Sequence, residues 1–140
     1  MIYITRREHF SASHILRVLS FSQSKNEDLF GDCNQFHGHN YYLEVTLCGT
    51  PDKISGYLLD LKELKKIIND EIIIKVDHKF LNEVHMFDNI IPTTENMAMI
   101  FWNILKKKIE RENVRLYSVK IFETEKNIIE YRGEENTLKK

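Results

Sequence analysis

The chain has 140 residues, 29% of them charged and 42% hydrophobic, with a formal net charge of −1. That length suits one domain, the composition suits a folded soluble protein, and the near-neutral balance gives nucleic acid or a membrane surface no electrostatic hold. No apolar run approaches the roughly 18 residues of a membrane span, Met1-Ile2-Tyr3-Ile4-Thr5-Arg6-Arg7 lacks a secretory signal's apolar core, and two cysteines are too few for a disulfide framework, so a cytoplasmic protein with reduced thiols is expected.

Ile2 to Phe10 alternates as a strand does, and Ser11-Ala12-Ser13-His14 extends it. Residues 17–36 are polar and irregular, with Ser20, Ser22, Ser24, Asn26, Gly31 and Asn34, and read as a long loop of the kind that carries function. Between Asn40 and Cys48, Tyr41, Leu43, Val45 and Leu47 fall on one face and Tyr42, Glu44 and Thr46 on the other, which is a half-buried strand. Gly49-Thr50-Pro51-Asp52 makes a turn, and Tyr57-Leu58-Leu59 a short strand. Asp60 caps an amphipathic helix in which Leu61, Leu64, Ile67, Ile68 and Ile72 recur at helical spacing. Asp77 to Asn82 is a loop. Pro92-Thr93-Thr94-Glu95 opens a second helix with a capping threonine and an acid in the first turn, and Met97, Ile100, Phe101, Ile104, Leu105 and Ile109 form its apolar stripe. Tyr117 to Glu123 and Ile128 to Tyr131 are closing strands around Glu125-Lys126-Asn127. Residues 1–134 form a single domain, followed by a charged, frayed tail at 135–140.

The order strand, strand, helix, helix, strand, strand predicts an α+β domain: a four-stranded antiparallel sheet with two helices on one face. So small a sheet leaves two edges open, and edges invite pairing with another copy; a closed ring of identical subunits would remove them.

Chemistry concentrates in a few groups. If the second strand begins at His37, then His37 and His39 point to the side of Tyr41 and Leu43 and can chelate one metal. Gly38 between them permits close backbone approach. His14 from the first strand is the third candidate ligand, and three nitrogens without a fourth protein ligand would leave a coordination position open, the mark of a catalytic rather than a structural site. Cys33, in a loop near that metal, is a candidate thiolate base or nucleophile, whereas direct ligation by it would close the site. Asp77-His78 is an acid–base pair candidate. Glu123, at the end of an otherwise apolar and basic strand, is a candidate buried anion for a ligand's donors. Tyr41, Tyr42, Phe101 and Trp102 read as core or interface, His9 and His85 as surface or packing residues.

Taken together, Phe10-Ser11-Ala12-Ser13-His14, Leu29-Phe30-Gly31-Asp32-Cys33-Asn34, His37-Gly38-His39-Asn40-Tyr41, Asp77-His78-Lys79, Pro92-Thr93-Thr94-Glu95-Asn96 and Glu123-Thr124 to Tyr131-Arg132-Gly133-Glu134 resemble the 6-pyruvoyl tetrahydropterin synthase family, over nearly the whole chain and in the right order. That family includes the 6-carboxytetrahydropterin synthases of the queuosine pathway. The resemblance implies a tunnelling fold, in which sheets close into a trimeric barrel and two trimers stack as a homohexamer, with active sites at subunit interfaces. It implies Zn2+ on His14, His37 and His39, a catalytic Cys33, a relay of Asp77 and His78, a pterin-anchoring Glu123, and pterin contacts from Thr93, Thr94 and Glu95. It implies a carbon–oxygen lyase acting on 7,8-dihydroneopterin triphosphate. The interval of four from Cys33 to His37 is similar to that of the queuosine-pathway enzymes, while the surrounding segments look more like the animal type. The expected product is therefore 6-pyruvoyltetrahydropterin, with 6-carboxytetrahydropterin as the alternative. Two competing classes are a catalytically silent pterin- or purine-binding oligomer, which would need neither thiol nor relay, and a structural-zinc module, which would need a fourth protein ligand.

Overall fold

A computed structural model of the chain describes residues 1–134. The expected tail at 135–140 lies outside the described residues.

The fold is built on two long strands, β1 (Ile2–His14) and β2 (His37–Gly49), paired antiparallel over their whole length from Ile2↔Gly49 to His14↔His37. β4 (Val114–Phe122) adds antiparallel to the far side of β2, and β5 (Ile128–Tyr131) to β4. A fifth strand, β3 (Lys79–Phe80), lies parallel to β1 beside Ala12 and Ser13. The sheet is thus mixed and five-stranded, in the order β3-β1-β2-β4-β5. This corrects the expected four-stranded antiparallel sheet. The added strand has two residues and is defined only by its pairing with β1, so no local alternation announces it. Within one chain the sheet is open, with β3 and β5 at its edges.

The expected helices are present with two changes. Asp60 caps α2 (Leu61–Ile68) through Lys62 N–H, but the helix then passes through a wider π turn (Asn69–Ile73) before a last turn, α3 (Ile74–Val76). The change of phase lets Ile72, Ile73 and Val76 all reach the core. The expected loop at 17–36 contains a helix, α1 (Gln23–Phe30), whose only buried residue is Asn26. It lacks an apolar stripe; Ser22 caps it, and Asn26 ties it to both backbone groups of Val18. Tyr57–Leu59 is not a strand: Leu58 and Leu59 plug the core from an irregular segment. The long helix α4 (Thr94–Ile109) begins where expected, with the Thr93 oxygen accepting from Asn96 N–H at 3.2 Å.

The core lies between one face of the sheet and these helices. Phe10, Tyr41, Leu43, Val45 and Leu47 meet Leu64, Ile68, Met97, Phe101 and Leu105, all fully buried. The histidines occupy the end of this same face. No helix among the described residues is long and apolar enough to cross a membrane.

Candidate metal centre

Strand register brings the histidines together. His14 pairs directly with His37, and Ala12 with His39. Alternation then turns His14, His37 and His39 to the face that also carries Phe10 and Tyr41. Ring centroids are 4.5 Å apart for His14 and His37, 5.4 Å for His14 and His39, and 5.1 Å for His37 and His39. One nitrogen from each ring lies within 4.8 Å of the other two. Gly38 does permit a close approach: a Cβ there would sit 2.9 Å from the Ala12 carbonyl oxygen.

Hydrogen bonds decide which nitrogens are free. A carbonyl oxygen only accepts, so a neutral ring facing one must carry its proton on that nitrogen. His14 Nδ1 donates to Pro92 O at 2.8 Å, and His37 Nδ1 to Gln35 O at 2.7 Å. Both Nε2 atoms are then bare lone pairs, yet they stand 3.0 Å apart. Two lone pairs at that distance repel, and a cation bound between them converts the repulsion into two bonds. A proton is a poor substitute. Burial, seconded by His37 and His39, lowers the His14 pKa to about 4 against the opposing pull of the Pro92 carbonyl. His39 is also lowered, chiefly by burial, with Glu123 opposing. His14 and His39 are therefore held neutral by burial, and carbonyls fix the rings of His14 and His37 in the manner usual around bound metals.

Among the described residues no cysteine or carboxylate joins this group. The structural-zinc alternative therefore lacks its fourth protein ligand within this group. Just beyond His14 the chain is clamped by Asn82, whose Oδ1 accepts from Ile15 N–H and whose Nδ2 donates to Ile15 O, both at 2.8 Å.

The other candidates surround this centre at different removes. Cys33 sits in a 3₁₀ turn (Gly31–Asn34) with its thiol exposed. Its carbonyl accepts from Leu16 N–H at 2.9 Å, which ties the turn to the segment two residues past His14. Asp77 and His78, just after α3, stand beside β1 at Ser11. Asp77 Oδ1 accepts from Ser11 N–H at 2.9 Å and stands 3.0 Å from His78 Nδ1. Neighbours in sequence can meet so closely because His78 has φ of 59° and its N–H bonds Ser11 O. The Ser11 N–H first, and His78 after it, lower the Asp77 pKa. The His78 side chain is 83% exposed, and the pair does not join the imidazole group.

Glu123 follows the last paired residue of β4 and places Oε1 3.1 Å from His39 Nε2, without the alignment of a hydrogen bond. Of the three residues at the start of α4, Thr93 spends its oxygen on the cap, Glu95 is exposed, and Thr94 buries a hydroxyl that has no partner. Among the described residues the buried side-chain polar atoms left unpaired are His39 Nε2, Tyr41 Oη and Thr94 Oγ1. The first two belong to rings 5.4 Å apart, and the third lies two residues past Pro92. Sequence reasoning passed over the Pro92 and Gln35 carbonyls, Asn82 and the Tyr41 hydroxyl. Backbone acceptors and a clamp 67 residues distant leave no local trace. Only Tyr41 carried a signal, its place on the histidine face.

Comparison with known proteins agrees with this geometry. Residues 3–134 match the family model described as 6-pyruvoyl tetrahydropterin synthase. The chain is 44% identical over 134 residues to the 6-pyruvoyl tetrahydrobiopterin synthase of Drosophila melanogaster, covering 94% of this chain and 79% of that one. It is 41% identical over 134 residues to that of Homo sapiens, covering 94% and 91%. The solved structure of Caenorhabditis elegans 6-pyruvoyl tetrahydropterin synthase superposes with a TM-score of 0.87 at 38% identity, covering 95% of this chain and 96% of that one. The fold, the imidazole cluster and these likenesses agree, and the chain belongs to the 6-pyruvoyl tetrahydropterin synthase family.

Proposed function

We propose that this lyase is zinc-dependent and converts 7,8-dihydroneopterin triphosphate to 6-pyruvoyltetrahydropterin with loss of triphosphate. The observation that carries the reading is the pair of bare Nε2 atoms 3.0 Å apart, each ring locked by a carbonyl behind it. His14, His37 and His39 would hold the ion. Neutral imidazoles suit zinc and leave its double positive charge uncompensated. When bound, zinc supplies Lewis acidity that makes the proton on a hydroxyl-bearing side-chain carbon of the substrate more acidic.

The chain's residues do the rest. Cys33, exposed on the turn fastened beside His14, takes the carbon-bound proton as thiolate. Asp77 keeps its charge under the Ser11 N–H and orients His78, which gives and takes protons as the redox shift proceeds and triphosphate leaves. Glu123 offers its carboxylate to the two parallel N–H groups of the pterin's aminopyrimidine edge. Thr94 presents a buried hydroxyl that the protein itself leaves unpaired, and Thr93 and Glu95 flank it. The exposure of His78 and the open edges at β3 and β5 support a homo-oligomer, a hexamer of two stacked trimers whose sheets close into a barrel and whose sites lie between subunits.

A specific observation keeps the second product in view: Cys33 lies four residues before His37. The test is metal content measured together with the product formed from dihydroneopterin triphosphate, by mass spectrometry. About one zinc per chain and a 6-pyruvoyl product are expected. Acetaldehyde release with a carboxylated pterin would assign the chain to the 6-carboxytetrahydropterin synthases. Pterin binding without turnover would identify a silent binder.

A further inference from the structure

Tyr41 is wholly buried, and its hydroxyl has no hydrogen-bond partner. Its ring is stacked on Phe10 with centroids 4.8 Å apart and stands edge-on to His39 at 5.4 Å and His14 at 6.4 Å. A phenylalanine would make the same ring contacts. The hydroxyl adds nothing to that packing and is costly to bury unpaired.

Glu123 stands beside it. Tyr42 pairs with Phe122, the last paired residue of β4, so the next step along both strands brings Tyr41 level with Glu123. Alternation turns both side chains to the helix-covered face. Glu123 leans toward His39 here, at 3.1 Å, without completing a hydrogen bond to it. One carboxylate therefore stands against one group that lacks a partner and level, by register, with the residue that carries another. A carboxylate has about four lone-pair sites, and two parallel N–H bonds occupy two of them.

We propose that Tyr41 is a positioning residue whose hydroxyl, once a pterin is bound, donates to the Glu123 carboxylate and holds it square to the ligand's paired N–H groups. The inference rests on the reading of Glu123 as the pterin anchor. Bidentate recognition is strict about angle, and a glutamate at a strand end, continuing into a hairpin turn, needs a second restraint to hold that angle. Tyr41 supplies the restraint from a fixed ring. The same hydroxyl gives the free protein nothing, so its loss separates binding from folding.

The experiment titrates neopterin, a fluorescent pterin without a triphosphate, into the zinc-loaded protein, Tyr41→Phe, Glu123→Gln and the double variant, with thermal midpoint and zinc content measured on each. Tyr41→Phe should weaken neopterin about tenfold, the effect of one hydrogen bond to a charged group. It should raise KM more than it lowers kcat, keep its zinc, and melt no lower than the parent. In the Glu123→Gln background the same substitution should have little further effect. Unchanged neopterin binding by Tyr41→Phe, beside a weakened Glu123→Gln, would remove the Tyr41 role alone. A midpoint several degrees lower, or a full tenfold loss persisting in the double variant, would overturn it as well. Parent-like binding by Glu123→Gln would instead defeat the anchor reading, and the Tyr41 role with it.

Discussion

Acid should destabilise the metal-free protein within a defined window, because burial makes His14 harder to protonate in the fold than in the unfolded chain. An ordinary imidazole titrates near 6.5, and His14 titrates at about 4. Above 6.5 the ring is neutral whether the chain is folded or unfolded, and its contribution is fully present. Between 6.5 and 4 the unfolded chain binds a proton that the folded chain refuses, so stability falls with pH. Below 4 both states are protonated and the loss stops. The gap is about 2.5 pH units, and at about 1.4 kcal/mol per unit the loss has a ceiling of about 3.5 kcal/mol. That is a large share of the roughly 5–15 kcal/mol of a typical domain. His39, lowered for the same reason, adds to it in the same direction. The assay is urea unfolding at fixed protein concentration, with chelator, at intervals from pH 7.5 to 4, for the parent and for His14→Asn. The variant should be less stable overall but should show a flatter dependence between pH 6.5 and 4.5. Excess zinc should restore stability to the parent at pH 6.5 and progressively less as the pH falls. A variant with the parent's pH slope would refute the argument that burial keeps His14 neutral.

Cys33→Ala should retain zinc and pterin binding while losing turnover by at least about a hundredfold, the scale of a missing general base; normal turnover would take the thiolate out of the mechanism. Asn82→Ala should destabilise the fold by about 2 kcal/mol, since it leaves both backbone groups of Ile15 unpaired, and should weaken zinc without touching a ligand; parent-like zinc affinity by competition with a chromophoric chelator would show that the clamp does not position His14. Gly38→Ala should cost about 1–3 kcal/mol, because its Cβ would press on the Ala12 carbonyl oxygen at 2.9 Å and backbone atoms yield little; a denaturation midpoint equal to the parent's would show that β1 and β2 can separate freely.

What could be read along the chain was whatever repeats at short range. Alternation placed Tyr41, Leu43, Val45 and Leu47 on one face, and all four are fully buried there as expected. Thr93 and Asp60 cap their helices as their side chains dictate. Elements held by specific pairings rather than by a repeating pattern were not legible. β3 exists because Lys79 and Phe80 lie against Ala12 and Ser13, and α1 because Asn26 reaches back to Val18. The site divides in the same way. His37 and His39 share a face by strand geometry alone, Cys33, Asp77-His78 and Glu123 stand out as candidates by residue type and place, and the family resemblance added their roles and the segment at Thr93.

The sequence by itself determined which residue types were available for a metal, a proton and a pterin, because composition, spacing and capping are local properties. Tertiary structure alone decided which His14 nitrogen is bare, since that depends on the carbonyl of Pro92 brought up behind the ring, while His37 is fixed by the nearby carbonyl of Gln35. It also decided that the Tyr41 hydroxyl is sealed away unpaired beside Glu123. Protonation and hydrogen-bond satisfaction are set by what surrounds an atom in space, and for His14 that surrounding comes from residues 23 and 78 positions away.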